Sequence, residues 1–375
     1  MSKIPVGVLG ATGTVGQRFV QLLADHPWFE VAAVTGSDRT VGRPYGEGVN
    51  WMMPGDVPRR TAELIVQPTG LDLGLPGDLP VVFSALPTAE AKEWEPRFAA
   101  AGYAVITNTS VFRMDPTVPL LIPEVNPDHT ALIPTQRAEK GWPGFIVASP
   151  NCSTTSAILP LKVFQEAFGV EAVLLTTMQA ISGAGYPGVS SLDIYDNVVP
   201  YIGGEDDKLQ NEPTKLLGAV RDGRLFPAGI AISAQANRVP VVDGHLASVS
   251  VRLGRRASAD EAIAALRNWR PPAIVAQLPS SPSQLLIYRE EPDRPQPRRD
   301  RDAGDGLAWT VGKVRACPVL DVRYVSLTHN TLRGAASGAL LNAELLLVQG
   351  YIGGGRERSS NGHRQTAAGR EVIER

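Results

Sequence analysis

Cys152 stands where residue types and spacing could support covalent chemistry. It lies in the polar segment SPNCSTT, after the apolar run Phe145–Ala148 and before a helix predicted over Thr154–Phe168. A thiol at a helix N-terminus feels the positive end of the helix dipole, which lowers its pKa and favours the thiolate. Because the thiolate is the nucleophile in acyl transfer, we predict a nucleophilic role for Cys152. Cys317, in RACPV, is predicted to be a small buried residue instead.

A glycine-rich loop, GATGTVG at residues 10–16, follows the first strand-like run and opens a helix pattern. Glycines let the backbone turn tightly and approach a pyrophosphate, and a helix N-terminus offers oriented N–H groups to the anion. The loop therefore predicts a dinucleotide site. We assign the following residues to it, the last of them from the end of the strand-like run PVVFS: Gly10, Thr12, Gly13, Thr14, Val15 and Ser84.

The end of the second strand indicates which dinucleotide is bound. An acidic residue there accepts a hydrogen bond from the ribose of NAD, whereas hydroxyl and arginine side chains suit the 2′-phosphate of NADP. The segment reads TGSDRT, in which Ser37 and Arg39 favour NADP and Asp38 favours NAD. We predict NADP.

The periodicity of the first 150 residues predicts an N-terminal Rossmann-like domain. Short apolar runs alternate with helix patterns, which is typical of βαβ units and a parallel sheet. The predicted strands are Val6–Leu9, Val31–Val34, Pro80–Ser84 and Ala104–Ile106, and the predicted helices are Gly16–Ala24 and Ala89–Ala101.

Residues 151–334 are predicted to form an α+β catalytic and dimerisation domain, because strand runs here are segregated from helices. The strands are predicted over Ala172–Ile181, Asn237–Val242, His245–Leu253 and Val319–Leu327, after the Thr154 helix with a kink at Pro160. A helix within residues 335–352 is predicted to pack back on the first domain. The charged, proline-rich segment Glu290–Gly306 and the tail 353–375 are predicted to be a surface loop and a flexible end.

Composition excludes several classes of protein. The chain has 375 residues with 36 Lys and Arg against 38 Asp and Glu, so it carries no basic field for nucleic acid. No apolar run reaches the ~20 residues that span a bilayer, and the N-terminus lacks a signal-peptide pattern. Two cysteines cannot build a disulfide framework or a four-cysteine zinc site. We therefore expect a cytoplasmic enzyme without a metal.

Five motifs in order along the chain resemble the aspartate-β-semialdehyde dehydrogenase family, in its archaeal and fungal branch. They are GATGTVGQRF, ASPNCSTT, QAISGAGYPGV, PYIGGEDDK and RVPVVDGH. The resemblance covers about residues 4–350 and fails in 290–306 and the tail. It implies a C-terminal domain like that of glyceraldehyde-3-phosphate dehydrogenase and a homodimer or homotetramer. It also implies NADPH-dependent reductive dephosphorylation of L-aspartyl-4-phosphate, on the route to lysine, threonine and methionine.

The resemblance also implies roles for individual residues. Cys152 matches the family's nucleophile, His245 its acid–base group and Gln179 a glutamine that holds the acyl intermediate. The substrate-binding matches are Arg238 for the carboxylate, Glu205 for the amine, and Lys208 and Arg113 for the phosphate. Later cofactor contacts match Ser182, Gly183 and Asn342.

The other histidines fit the acid–base role less well. His26 precedes a proline, His129 lies in a proline-flanked loop and His363 lies in the tail, so all three are expected at the surface. This leaves His329 as the rival to His245. If Asp243-Gly244 is a two-residue hairpin turn, strand alternation places Arg238 and His245 on one face.

Three alternative functions remain open for this chain. A CoA-thioester reductase such as malonyl-CoA reductase would keep the cysteine and histidine but would not need Arg113, Lys208 and Glu205. N-acetyl-γ-glutamyl-phosphate reductase acts on a capped amine and has a different cysteine motif. A catalytically silent NADP-binding protein would not need an intact pair of Cys152 and His245.

Overall fold

The first sheet is parallel throughout and forms a Rossmann-like domain. The computed structural model describes residues 2–353. Its first six strands pair in the order β3-β2-β1-β4-β5-β6. They are β1 (Ile4–Leu9), β2 (Phe29–Thr35), β3 (Val66–Gln67), β4 (Val81–Ser84), β5 (Ala104–Thr107) and β6 (Phe145–Ala148). Because helices cover both faces of such a sheet, strands β4, β5 and β6 are buried at every position and are apolar except for Ser84 and Thr107 at their ends.

Five helices connect these strands. They are α1 (Thr14–Leu23), α2 (Tyr45–Gly48), α3 (Arg59–Ala62), α4 (Thr88–Ala100) and α5 (Leu132–Lys140), the last preceded by a 3₁₀ turn over Pro127–Ala131. Helix α1 buries Phe19, Val20 and Leu23 in the same core as Val6 and Val8 of β1. This packing fixes the N-terminus of α1 against the end of β1.

The second sheet is mixed, which confirms the predicted α+β character. Its order is β10-β7-β11-β14-β13-β12, and β8 and β9 form a separate two-stranded ribbon. The strands are β7 (Val170–Gln179), β8 (Ala219–Arg221), β9 (Arg224–Phe226), β10 (Ala231–Arg238), β11 (His245–Leu253), β12 (Leu286–Arg289), β13 (Trp309–Ala316) and β14 (Val322–Thr328). Only the pairs β7 with β10 and β12 with β13 are parallel in this sheet.

Helices cover one face of the second sheet. Within residues 2–353 the remaining helices are α6 (Cys152–Phe168), α7 (Ser191–Ile194), α8 (Glu205–Leu216), α9 (Ala259–Asn268), α10 (Pro297–Asp300) and α11 (Ser337–Val348). Of these, α6, α8 and α9 pack on the covered face. Val173 and Leu175 of β7 share a core with Phe164 of α6 and Leu266 of α9. Leu174, which alternates with them, is 47% exposed on the opposite face. The sheet therefore has one covered and one open face.

The last helix returns to the first domain. Leu340, Leu341 and Leu345 of α11 are buried in the core that contains Val6 and Val8. A π-helical turn over Leu332–Ala336 leads into α11 from the end of β14. Within residues 2–353, no helix has both the length and the apolar character needed to cross a membrane.

The predicted hairpin at Asp243-Gly244 is wrong. Strand β10 ends at Arg238 instead of continuing to Val242, and β7 lies between β10 and β11. Residues 239–244 instead cross the end of β7, where the N–H groups of Ile181 and Ser182 donate to carbonyls of this connection. The connection cannot be a tight turn because it must span the width of a strand.

The segment Glu290–Gly306 lies mostly at the surface, as predicted, but it is not unstructured, because Asp300 and Arg294 are buried within it. The buried carboxylate of Asp300 accepts hydrogen bonds from Nε of Arg289 at 3.1 Å, Nε of Arg294 at 2.6 Å and the Gln296 N–H at 2.7 Å. Arg294 and Asp300 therefore pair inside the fold, a feature that composition does not reveal.

Two histidines expected at the surface are buried. Nε2 of His26 lies 2.8 Å from Glu344 Oε1, and His129 lies between Nδ2 of Asn126 and the carbonyl of Gly218. Each ring satisfies polar groups in a packed region, so the adjacent prolines do not indicate exposure. His363 and the tail after Gly353 lie outside the described residues.

Candidate active site

A cleft of about 680 Å³ separates the nucleotide loop from the second sheet, and Cys152 lies on its wall. The first domain contributes the start of α1 and the segments that follow β4 and β5, and the second contributes the loop after β7 and the π-helical turn. Ligands bind outside the carboxyl ends of strands in an open parallel sheet, and this cleft occupies that position.

The N-terminus of α6 presents Cys152 to the cleft. Asn151 caps the helix, because its Oδ1 accepts hydrogen bonds from the N–H groups of Ser153 at 2.8 Å and Thr154 at 3.2 Å. Gly334 of the π-helical turn packs directly on the cysteine: a Cβ added there would lie 2.7 Å from Cys152 Cβ. The cap and this close approach fix the sulfur in place.

His245 contacts the cysteine directly. Its Nε2 lies 3.2 Å from Cys152 Sγ, and its Nδ1 accepts a hydrogen bond from the Ala180 N–H at 3.1 Å. A ring nitrogen that accepts a hydrogen bond carries no proton, so the neutral ring bears its proton on Nε2, facing the sulfur. Burial above all, together with the positive charges of Arg238 and His329, lowers the pKa of His245 to about 3. His245 is therefore a neutral hydrogen-bond donor to Cys152.

The expectation of a lowered cysteine pKa is wrong. Close packing around the sulfur raises the pKa of Cys152 to about 11, and the negative charge of Glu205 also raises it. Arg113 and Arg238 act in the opposite direction. Burial outweighs the helix terminus here because an anion loses more solvation in this wall than these cations restore.

Three adjacent strand ends bring the predicted residues to one edge of the second sheet. Gln179 ends β7 and pairs with Arg238, which ends β10, whereas His245 begins β11 on the other side of β7. Nη1 of Arg238 donates to the Ala180 carbonyl at 2.7 Å. A Cβ added at Gly183 would lie 2.9 Å from Arg238 Nη1 and 3.0 Å from His245 Cε1. Arg238 and His245 therefore share one wall, as predicted, but through a different topology.

Glu205, the first residue of α8, joins several predicted residues. Its carboxylate accepts hydrogen bonds from Nδ2 of Asn151 at 3.0 Å, Nε2 of Gln179 at 3.2 Å and Nζ of Lys208 at 2.8 Å. The hydrogen bond and charge of Lys208 hold the pKa of Glu205 below its usual range despite its burial. The carboxylate is thus ionised, and it accepts hydrogen bonds from the side chains of Asn151 and Ser153, which flank the cysteine.

Arg113 lines the cleft beside the cysteine. Its Nη1 pairs with Glu212 of α8 at 3.0 Å and its Nη2 donates to the Asn108 carbonyl at 2.7 Å. Its Nε is buried and has no hydrogen-bond partner among residues 2–353. Because a buried unpaired donor is costly, this Nε–H is a fitting contact for an anion in the cleft.

The nucleotide loop has the geometry that a pyrophosphate requires. Gly10 adopts φ of +70°, and a Cβ at Gly16 would lie 2.2 Å from the Gly10 carbonyl oxygen. The loop is tied to β2 through the N–H groups of Gly10 and Ala11, which donate to Thr35. Helix α1 begins at Thr14 after Gly13 with no side-chain cap and no acidic residue in its first turn. Its first N–H groups are therefore available to an anion.

The other residues predicted for the cofactor lie at different depths. Ser37, Asp38 and Arg39 are exposed after β2, and no ion pair of Arg39 occurs within residues 2–353. Ser182 and Gly183 line the cleft with Thr14 and Val15.

Two of the predicted cofactor residues are buried. Ser84 ends β4 with no exposed surface. Asn342 donates through Nδ2 to the Leu121 carbonyl and to Ser149 Oγ, and its buried Oδ1 has no partner in the described part of the chain. Asn342 is thus held behind the wall that carries Ser149.

Sequence reasoning did not find four residues of the site: Asn151, Glu212, Asn330 and Gly334. The spacing of Glu205 and Glu212 on α8, two turns apart, was a signal for one shared helix face. Asn151 could have been recognised as a helix cap before STT. Asn330 and Gly334 had no local signal, because their contacts are distant in sequence.

Comparison with known families defines the class of this protein. Residues 5–133 match the model for the NAD binding domain of semialdehyde dehydrogenase, and residues 161–333 match the dimerisation domain of semialdehyde dehydrogenase. The fold and the cleft are accordingly those of a two-domain semialdehyde dehydrogenase.

Comparison with individual relatives identifies the family within this class. The chain is 48% identical over 350 residues to the aspartate-semialdehyde dehydrogenase of Archaeoglobus fulgidus, covering 93% of this chain and all of the relative. It is 44% identical to that of Cryptococcus neoformans, covering 93% and 98%. A crystal structure of the Candida albicans enzyme with NADP superposes with a TM-score of 0.85 at 41% identity, covering 93% and 100%. The chain belongs to the aspartate-semialdehyde dehydrogenase family.

Proposed function

We propose that this enzyme reduces L-aspartyl-4-phosphate to L-aspartate 4-semialdehyde through a Cys152 thioester, in the biosynthesis of lysine, threonine and methionine. The contact between Cys152 Sγ and His245 Nε2 at 3.2 Å, in a cleft that begins at a nucleotide loop, carries this proposal. Family membership supports it, because curated relatives with 41–48% identity are named for this enzyme.

The proposed cofactor is NADP(H), which supplies the hydride when bound. The uncapped start of α1 would hold its pyrophosphate, and exposed Ser37 and Arg39 would contact its 2′-phosphate. The Candida albicans relative was crystallised with NADP. Ser182 and Gly183 line the cleft close to His245 and would face the reacting end of the cofactor.

In the first half of the reaction, the Cys152 sulfur attacks the acyl phosphate as a thiolate. A C–S bond forms and the C–O bond to phosphate breaks, so that a thioester and free phosphate result. The unpaired Nε–H of Arg113 and the ammonium of Lys208 would stabilise the leaving phosphate. The thiol proton passes to solvent before attack, and the released phosphate takes a proton from solvent.

His245 acts in both halves as a donor through Nε2–H. This proton stabilises the thiolate before attack, because it points at Sγ. After hydride addition to the thioester carbon, the same group stabilises the oxyanion of the thiohemiacetal. The C–S bond then breaks, the aldehyde leaves, and the electron pair returns to sulfur.

The remaining charges select the amino-acid end of the substrate. Arg238 offers a guanidinium, which matches a carboxylate in two hydrogen bonds. Glu205 offers an ionised carboxylate to the substrate amine, with Gln179 beside it to hold the acyl group. A CoA thioester would need neither the amine contact nor the phosphate contacts, so these residues favour the acyl phosphate.

We also propose a homodimer formed through the open face of the second sheet. Leu174 is exposed on this face and Val242 is exposed at its edge. The family model that matches this region describes a dimerisation domain. Aromatic residues of the segment after β7 are exposed as well: Tyr186 at 67%, Tyr195 at 79% and Tyr201 at 73%. A large exposed apolar area is typical of an interaction surface. The proposed domain boundaries are residues 1–150 for the Rossmann-like domain and 151–334 for the catalytic and dimerisation domain. Residues 335–352 complete the first of these.

One assay tests the proposed activity against its closest alternative. The purified enzyme is supplied with aspartate semialdehyde, phosphate and NADP, and in parallel with malonyl-CoA and NADPH, and absorbance at the NADPH band is followed. We expect phosphate-dependent turnover of the semialdehyde and none of malonyl-CoA. Turnover of malonyl-CoA alone would assign the chain to the CoA-thioester reductases, and turnover of neither would indicate a silent NADP-binding protein.

A further inference from the structure

Asn330 joins the two loops that flank His245. It lies two residues past Thr328, the residue of β14 that pairs with His245 across the sheet. Its Oδ1 accepts a hydrogen bond from the Gly244 N–H at 2.8 Å, and its Nδ2 donates to Ser182 Oγ at 2.8 Å. Only 2% of the residue is exposed. Both ends of one amide are therefore used to connect two loops.

Each loop ends on a group that contacts the imidazole. Gly244 directly precedes His245, and Ser182 directly precedes Gly183, whose Cα faces His245 so closely that a Cβ would lie 3.0 Å from the ring. Backbone hydrogen bonds already tie Ile181 to Val241 at 2.8 Å and Ser182 to Val242 at 3.2 Å. Asn330 is the side chain that connects the same loops at their ends nearest the ring.

We propose that Asn330 is a positioning residue, which holds His245 Nε2 at Cys152 Sγ by fixing Gly244 and Ser182 relative to each other. The expected effect on turnover rests on the proposed function. The expected effect on the position of the His245 ring does not, because Asn330, Gly244, Ser182 and His245 all belong to this chain. A shift of about 1 Å in a reacting group can reduce a rate by about 100-fold. A lost amide bridge at this point would permit such a shift.

The kinetic test compares Asn330→Ala with Asn330→Asp. We expect Asn330→Ala to lower kcat by about 10- to 100-fold while KM and the Kd for NADP stay within about threefold. Asn330→Asp should restore most of kcat, because a carboxylate still accepts from the Gly244 N–H and the Ser182 hydroxyl can turn to donate. Asn211→Ala is the control, since the amide of this exposed residue bonds only to the Asp207 carbonyl within its own helix. A weaker Kd for NADP with an unchanged kcat would overturn the proposal and make Asn330 a cofactor ligand.

A double-mutant cycle tests the route through Ser182. The readout is alkylation of Cys152 by iodoacetamide without cofactor, because Ser182 is also a proposed cofactor contact. If Asn330 acts through that hydroxyl, Cys152 should be alkylated no more slowly in the variant with Ser182→Ala and Asn330→Ala than in Asn330→Ala alone. Additive losses from the two substitutions would contradict the proposed connection. Thermal unfolding of every variant separates loss of fold from loss of position.

Alkylation of Cys152 gives a measurement that needs no substrate. The Nε2–H donor stabilises the thiolate, so Asn330→Ala should slow carbamidomethylation of Cys152 by iodoacetamide severalfold at neutral pH. An unchanged rate of alkylation would overturn the positioning role. If the wild type alkylates normally but does not turn over aspartate semialdehyde, the proposed function fails while this comparison still decides the role of Asn330.

Discussion

The backbone N–H of Ala180 donates to Nδ1 of His245 and thereby fixes which tautomer faces Cys152. A neutral imidazole with Nδ1 occupied carries its proton on Nε2 and cannot accept the thiol proton at that nitrogen. Protonating the ring would also turn the hydrogen bond from Ala180 into a contact between two donors. The geometry therefore makes His245 a donor to anions rather than a base toward the thiol.

The first prediction separates the nucleophile from the donor. Cys152→Ser should abolish turnover, because no other residue in the cleft can carry the acyl group. His245→Gln should retain activity about 10²- to 10⁴-fold lower, because only a proton-donating group is lost. Intact-mass analysis of substrate-quenched enzyme should show an acyl adduct in His245→Gln and none in Cys152→Ser. Cys317→Ser is the control and should keep the adduct; an adduct mapped to Cys317 would contradict the site.

The second prediction concerns cofactor choice. Because Ser37 and Arg39 are exposed after β2 and suit a phosphate, NADP should bind at least about tenfold tighter than NAD, or about 1.4 kcal/mol. Arg39→Ala should remove most of that preference by weakening NADP binding alone. Titration calorimetry with both cofactors measures it, and Arg59→Ala, an exposed arginine of the same domain, is the control. Equal affinities in the wild type would rule out this selection.

The third prediction tests the carboxylate contact of Arg238. Arg238→Lys keeps the charge but loses the planar pair of donors. It should also lose the bond to the Ala180 carbonyl, which leads into the loop after β7. We expect kcat/KM for the semialdehyde to fall by more than tenfold, with the Kd for NADP unchanged. Steady-state kinetics that stay within about twofold of the wild type would show that Arg238 does not bind the substrate.

The fourth prediction follows from the effect of Glu205 on the cysteine. The negative charge of Glu205 raises the pKa of Cys152, so Glu205→Gln should lower that pKa. The curve of iodoacetamide reactivity against pH should then move to lower pH, with faster alkylation at pH 8. Asp207→Asn changes an exposed carboxylate in the same helical turn and should leave the curve in place. A curve that does not move in Glu205→Gln would contradict the electrostatic coupling.

The fifth prediction concerns stability against pH. Glu95 of α4 is fully buried, and burial raises its pKa to about 7, although hydrogen bonds from Thr107 and Thr109 lower it. The folded state therefore keeps a proton that the unfolded state releases near pH 4.5. The contribution of Glu95 to the free energy of unfolding falls as the pH rises from about 4.5 to about 7, by up to about 3 kcal/mol. Above about pH 7 it is constant.

Urea unfolding at pH 5, 6 and 8 measures this dependence. Glu95→Gln, which cannot ionise, should lose less stability than the wild type between pH 5 and 8. Glu93→Gln is the control on the same helix, since Glu93 is mainly exposed in its ion pair with Arg97. A parallel pH dependence in the wild type and Glu95→Gln would show that Glu95 does not titrate in this range.

Local features of the chain were enough to predict the class of fold and the key side chains of the cleft. The parallel strands, the glycine loop and the helix behind Cys152 all follow from short-range patterns, because burial on both faces, backbone freedom and capping each depend on neighbouring residues. The bounds of β11 agree with the prediction, and α1, α4 and α6 begin within two residues of the predicted starts. The resemblance to the family was also visible in five short motifs.

Contacts between distant segments decided the strand order of the second sheet, the burial of charged residues and the pKa of Cys152. The insertion of β7 between β10 and β11 depends on strand pairing, which turn signals at Asp243-Gly244 do not report. The burial of Asp300 with Arg294 depends on partners that a charged composition hides. The pKa of Cys152 is raised because packing around the sulfur and the charge of Glu205 arise only in the folded chain. Sequence patterns record short-range preferences, whereas pairing, desolvation and charge depend on which distant residues become neighbours, and tertiary structure alone determines that.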